Sequence, residues 1–110
     1  MVSFSIKRDR NNRINGFTCS GHADYSEKGT DIVCAAVSAL TQSAILALER
    51  LVGVRLALKA DLKIGLIDCS WDNHPDIIEQ SELVIRMVAL GLIEIQKQYP
   101  DHLKVNEVEV

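Results

Sequence analysis

Cys34 and His22 are the two residues of this chain best suited to do chemistry together. A thiolate is a strong nucleophile, and an imidazole can hold and return its proton. Twelve residues separate them, and His22 follows Gly21, so the chain can fold back and let the side chains meet. Thr30 or Asp31 can cap a helix that starts at once afterwards, which places Cys34 in its first turn. There a thiolate would face the positive end of the helix dipole, and the N–H of Cys34 would be open to an oxyanion. The dipole contributes about 0.3–1 kcal/mol at an exposed site and up to about 2 in a partly buried one. That falls short of holding a thiolate, so a protonated imidazole must supply the rest. Asp24 and Asp31 are carboxylates within reach of such an imidazole, Asp31 with the competing task of capping. Ser38 lies one turn after Cys34 on the same face, where it can hydrogen-bond within the site or line it. Two other readings stand beside this one. A Cys on an apolar helix is commonly a small hydrophobe. Cys19 and His22 also have metal-ligand spacing, with Cys34 as a third ligand, although no second close pair completes the set.

These residues need elements to hold them. Val2 to Arg8 alternates apolar and polar, as a half-buried strand does. Asp9 to Arg13 is a polar turn, and Ile14 to Ser20 is the return strand of a hairpin. Gly21 to Gly29 lacks periodicity and is expected as a loop, with Gly21 and Gly29 as hinges at its ends. A helix follows over Ile32–Leu51, stopped by Gly53; nearly uncharged, it is expected to be covered on most sides. Ile32 to Leu48 carries no charge over 17 residues, the lower limit for a membrane span. Ser38, Thr41, Gln42 and Ser43 in its middle favour a core helix instead. Val54–Ala60 and Leu62–Cys69 are expected as an antiparallel pair. A turn through His74, with Pro75 at the helix start, leads into a second helix over Asp76–Gln98. Gly91 weakens that helix, and Pro100 ends it. Leu103–Val110 alternates as a last strand. The order is ββαββαβ, which predicts a single α+β domain whose five-stranded sheet is largely antiparallel. Cys19 and Cys69 fall on strands as core or sheet positions, His102 at the surface, and Trp71 in packing.

The 110 residues hold 12 Lys plus Arg and 15 Asp plus Glu, a net charge of −3, with 47% hydrophobic residues. That length suits one domain, and a chain of this size buries roughly 65% of its unfolded surface without staples. Mild acidity and five aromatic residues argue against direct nucleic-acid binding. Three widely spaced cysteines, and an opening that lacks a basic region before an apolar run, point to a reducing cytoplasm.

Gly21-His22-Ala23, followed by Gly29-Thr30-Asp31-Ile32-Val33-Cys34-Ala35-Ala36-Val37-Ser38-Ala39-Leu40, resembles the signature of the ribosomal-processing cysteine protease Prp family. The likeness extends over essentially the whole chain. It implies a cytoplasmic bacterial thiol protease that removes the N-terminal extension of ribosomal large-subunit protein twenty-seven, cutting after an aromatic residue. It implies His22 and Cys34 as the catalytic dyad, with Asp31 and Ser38 as the matching motif positions. A homodimer, a mobile loop around His22, and no metal or organic cofactor are likewise implied; neither nucleic acid nor membrane is an expected partner. The competing reading is a non-catalytic ribosome-associated module that holds an apolar peptide without cutting it.

Overall fold

Alternation at the N-terminus becomes strand β1 (Val2–Arg8), which turns back into β2 (Ile14–Ser20). The computed structural model describes the backbone of residues 1–21, 28–61 and 65–109, and their side chains apart from 28–31. Asp9 closes the turn: its N–H donates to the Arg13 carbonyl at 2.9 Å, and its Oδ1 accepts from the N–H groups of Asn11 and Arg13. Asn12 takes the left-handed conformation that such a turn needs. Helix α1 (Lys28–Ala47) follows and widens into a π-helical turn over Leu48–Val52. Gly53 ends it at φ 83°, donating its N–H to the Leu48 carbonyl. Strands β3 (Ala57–Asp61) and β4 (Leu66–Ser70), helix α2 (Ile78–Gln98) and strand β5 (Leu103–Glu109) complete the chain.

The strands form one sheet in the order β3-β4-β2-β1-β5. Three pairings are antiparallel, and β1 runs parallel to β5. Two crossovers therefore interlock. Through α1 the chain leaves β2, passes β4 and arrives at β3; through α2 it leaves β4 and arrives beyond β1 at β5. The two run in opposite directions from strands of opposite sense. A shared right-handed crossover then puts both helices on the same face of the sheet. Val2, Phe4, Ile6, Phe17, Cys19 and Cys69 point to that face and are buried. Phe4 and Phe17 stack there with ring centroids 5.2 Å apart. Val33, Val37, Thr41, Ala44 and Leu48 face them from α1 and its π-helical turn, and Ile85, Val88 and Leu92 from α2.

The expected α+β class and element order hold, while several boundaries move. Helix α1 starts at Lys28, so Thr30 and Asp31 lie inside its first turn instead of capping it. A carboxylate-bearing residue is favoured at that end of a helix whether or not it caps. The expected loop therefore ends before Lys28, and Gly29 is a helical residue, not a hinge. Helix α1 is buried along one stripe only; Ile32 and Leu46 are exposed, since a single sheet lies on one side of it. Its apolar stretch Ile32–Val52 is long and apolar enough to cross a membrane by length and composition alone. Strand β3 begins at Ala57 and not Val54, because Val54 donates its N–H to Leu48 in the helix stop. Strand β4 begins at Leu66, since Gly65, at φ 61°, still belongs to the turn. Pro75 sits in the turn before α2: the Ile77 N–H donates to the His74 carbonyl, and the helix starts at Ile78.

Candidate active site

Cys34 is the seventh residue of α1, half-buried against the core. Its side chain lines a cleft of about 230 Å³ between α1, the end of β2 and the β3–β4 hairpin. Ser38 and Thr41 follow it into the cleft at i+4 and i+7, one face of the helix. Val2, Val37, Leu66 and Ile67 supply apolar wall, and Cys19 lines it from β2. The thiol that the sequence marks as a nucleophile is thus open to an occupant.

Its position corrects one expectation. In a helix that starts at Lys28, the N–H of Cys34 lies beyond the four unpaired donors of the first turn and belongs to the i→i−4 ladder. It is not available to an oxyanion. The dipole acts within the first turn, which Cys34 has left behind. A nucleophilic role for this thiol would therefore depend on a neighbouring group. His22 and Asp24, and the side chain of Asp31, lie outside the described residues. The metal reading through Cys19, His22 and Cys34 falls there too; among the described residues, no group of three or more His, Cys, Asp or Glu could hold a metal ion.

Of the other expected positions, Ser38, Gly21 and Cys19 line the cleft. Ser38 lines it, and its Oγ accepts a hydrogen bond from Gln42 Nε2 at 2.9 Å. Gly21 lines it at φ 107°, and a Cβ there would stand 2.2 Å from the Met1 carbonyl oxygen. Only glycine fits where β2 ends against the N-terminal strand. Cys19 and Cys69 are buried strand residues, as expected. Burial pushes the Cys69 thiol up to about 12. Burial also raises the Cys19 thiol; the Thr41 hydroxyl beside it works against the rise, and Cys34 adds to it. Trp71 is buried, with Nε1 donating to Asn73 Oδ1.

Thr41 and Asp61 were not singled out from the sequence. Thr41 is wholly buried, and its Oγ1 makes no hydrogen bond of ordinary geometry. Its i+7 spacing from Cys34 was the available signal. Asp61 reaches the cleft from the end of β3, through a sheet order that no local pattern encodes.

A family model described as cysteine protease Prp matches residues 1–104. The ribosomal processing cysteine protease Prp of Bacillus subtilis is 29% identical over 107 residues, covering 96% of each chain. Among solved structures, SMU.848 from Streptococcus mutans superposes with a TM-score of 0.85 at 25% identity, covering 100% of this chain and 99% of the other. The ribosomal processing protease Prp from S. aureus, in complex with a substrate peptide, has the same fold, with a TM-score of 0.84 at 22% identity over 98% of this chain and 100% of the other.

Proposed function

The chain belongs to the cysteine protease Prp family, and from that membership we propose that it removes the N-terminal extension of ribosomal large-subunit protein twenty-seven, cutting after an aromatic residue. It is a cysteine protease of ribosomal processing; the substrate, the cut and the dyad are our reading. The observation that carries it is the placement of Cys34, half-buried but lining an apolar-walled cleft that suits an aromatic side chain.

His22 and Cys34 form the dyad. The imidazolium of His22 holds the thiolate, which attacks the carbonyl carbon after the aromatic residue. The tetrahedral adduct collapses to a thioester as His22 gives its proton to the leaving amine. Water, deprotonated by His22, then releases the acid and frees the thiol. Gly21 bounds the segment that carries His22, and Ser38, one turn after Cys34, lines the cleft beside it. Asp31 sits one turn before Cys34, as a supporting residue of the site. The enzyme uses no metal or organic cofactor. It works in the cytoplasm, where its three cysteines stay free, and binds neither membrane nor nucleic acid. It is a homodimer; exposed Leu83, Met87 and Leu90 on one side of α2 are the kind of apolar stripe that a second subunit covers.

The test is cleavage of a peptide spanning the junction, read by mass. Cys34→Ala and Cys34→Ser are expected to lose activity by more than about a thousandfold with the fold intact. Normal cleavage by Cys34→Ala would remove Cys34 from the mechanism. A stable complex of the wild-type protein with uncut peptide would make it a binding module. His22→Ala is expected to slow alkylation of Cys34 at neutral pH; an unchanged rate would remove the ion pair.

A further inference from the structure

Two of the three cysteines line one cleft, and the proposed mechanism uses only Cys34. Cys34 lines it from α1. Cys19 lines it from β2, where its pairing with the buried Phe4 sets it on the face of the sheet that the helices cover. The two thiols thus border the same space from the two layers of the fold. Cys69 is wholly buried and is not among the residues that line it.

Their surroundings give them different tasks. Cys34 is half-buried, so a small oxidant reaches it, whereas Cys19 is 8% exposed and its thiol is raised by burial. Thiolates react with peroxides far faster than thiols, so an ionised Cys34 is oxidised first. Charge on Cys34 adds to the rise of the Cys19 thiol. Oxidation of that thiolate to a neutral sulfenic acid removes the charge, so Cys19 then gives up its proton more easily.

We propose that Cys19 is the resolving thiol of a reversible disulfide with Cys34, which switches the protease off and protects the nucleophile from irreversible oxidation. The inference rests on the reading of Cys34 as an activated nucleophile. The co-reactant is a hydroperoxide. The Cys34 thiolate attacks its outer oxygen, the O–O bond breaks, and the alcohol or water leaves with a proton from solvent. The sulfur is oxidised by two electrons to the sulfenic acid, and the peroxide is reduced. Cys19 attacks that sulfur; the S–S bond forms, the S–O bond breaks, and hydroxide leaves as water with the Cys19 proton. The bridge removes the nucleophile and crosses the space a substrate side chain would enter. A dithiol reopens it by exchange, as suits a transient disulfide in a reducing cytoplasm. Without a resolving partner, Cys34 advances to the sulfinic acid, which thiols do not reduce.

Wild-type protein, Cys19→Ala, Cys19→Val and Cys69→Ala are treated with hydrogen peroxide, weighed intact, and assayed on the junction peptide before and after dithiothreitol. Wild type and Cys69→Ala are expected to lose about 2 Da, with peptide mapping joining Cys19 to Cys34, and to regain most of their activity. Both Cys19 variants are expected to gain about 32 Da and to regain less than about a tenth of their own starting activity. A wild-type protein that gains oxygen with no Cys19–Cys34 bridge, or that bridges to Cys69 or between chains, overturns the proposal and leaves the peptidase reading standing. Equal recovery in the Cys19 variants does the same. Failure of untreated wild type to cut any peptide overturns the peptidase reading, while the mass still decides the bridge.

Discussion

At the residue scale, the cleft contains a cost that catalysis does not obviously require. The Thr41 hydroxyl is buried without a hydrogen bond of ordinary geometry. An unsatisfied buried hydroxyl costs about 1–3 kcal/mol, whereas an apolar group of the same shape avoids that cost. Thr41→Val keeps the branched shape, so its urea midpoint is expected to equal or exceed that of the wild type, with a gain of about 1 kcal/mol. A loss of that size would mean that the interaction with the Cys19 thiol outweighs the cost of burying the hydroxyl. Thr41→Val also removes the group that opposes the rise of the Cys19 thiol, so Cys19 is expected to react more slowly with thiol reagents. Cys34 as the proposed nucleophile was legible in the sequence from residue type and motif. A cap at Thr30 or Asp31 would put Cys34 in the first turn, but the helix begins earlier, at Lys28. Two candidate caps three or four residues before a Cys do not fix where the first turn starts, because Thr and Asp are also tolerated inside it.

At the scale of elements, two glycines that look alike in sequence have opposite standing. Gly91 lies within α2, where a Cβ would stand at an ordinary contact distance of 3.4 Å from Leu40 Cδ1 on α1. Nothing there demands glycine, and glycine in a helix interior costs about 0.5–1 kcal/mol relative to alanine. Gly91→Ala is expected to raise stability by about that amount. Gly21→Ala meets both a positive φ and the Met1 carbonyl, and is expected to lower stability by about 1–3 kcal/mol. Urea denaturation of the two variants checks the contrast, and a stabilised Gly21→Ala would mean that β2 does not end against Met1 as described. Periodicity made the hairpin of β1 and β2, the pairing of β3 with β4, and both helices readable, because each depends on neighbours in the chain. The sheet order and the parallel pairing of β1 with β5 were not readable. They join residues about a hundred positions apart, such as Val2 with Leu103, through contacts that only the complete crossovers create. The placement of Asp61 in the cleft is a consequence of that order.

At the scale of the whole molecule, the sheet has a dry face under the helices and a polar face opposite, and the two titrate at opposite ends of the pH range. On the polar face Lys7 reaches across β2 to Asp68 beside Gly16, which carries no side chain, while Thr18 Oγ1 donates to the same carboxylate at 2.9 Å. The Lys7 bond holds the Asp68 carboxyl below its ordinary 3.8, and the Arg13 N–H does the same for Asp9. A carboxyl with a lowered folded value contributes stability that is present above its unfolded value and is lost as pH falls through the folded one. Acid is therefore expected to weaken the fold below about pH 4. On the dry face the Cys69 thiol has the reverse sign. Raised by burial from 9.0 to about 12, it leaves the folded protein protonated while the unfolded chain ionises. Its contribution is complete below pH 9.0 and is lost between there and about 12. The slope is at most about 1.4 kcal/mol per pH unit for one group. Urea midpoints measured from pH 8 to pH 10.5 are expected to fall for the wild-type protein and to fall less steeply for Cys69→Ala, which starts lower because it leaves a small cavity. Parallel slopes in the two proteins would show that Cys69 is reached by water, and that the sheet and α1 do not seal the face on which the cleft is built.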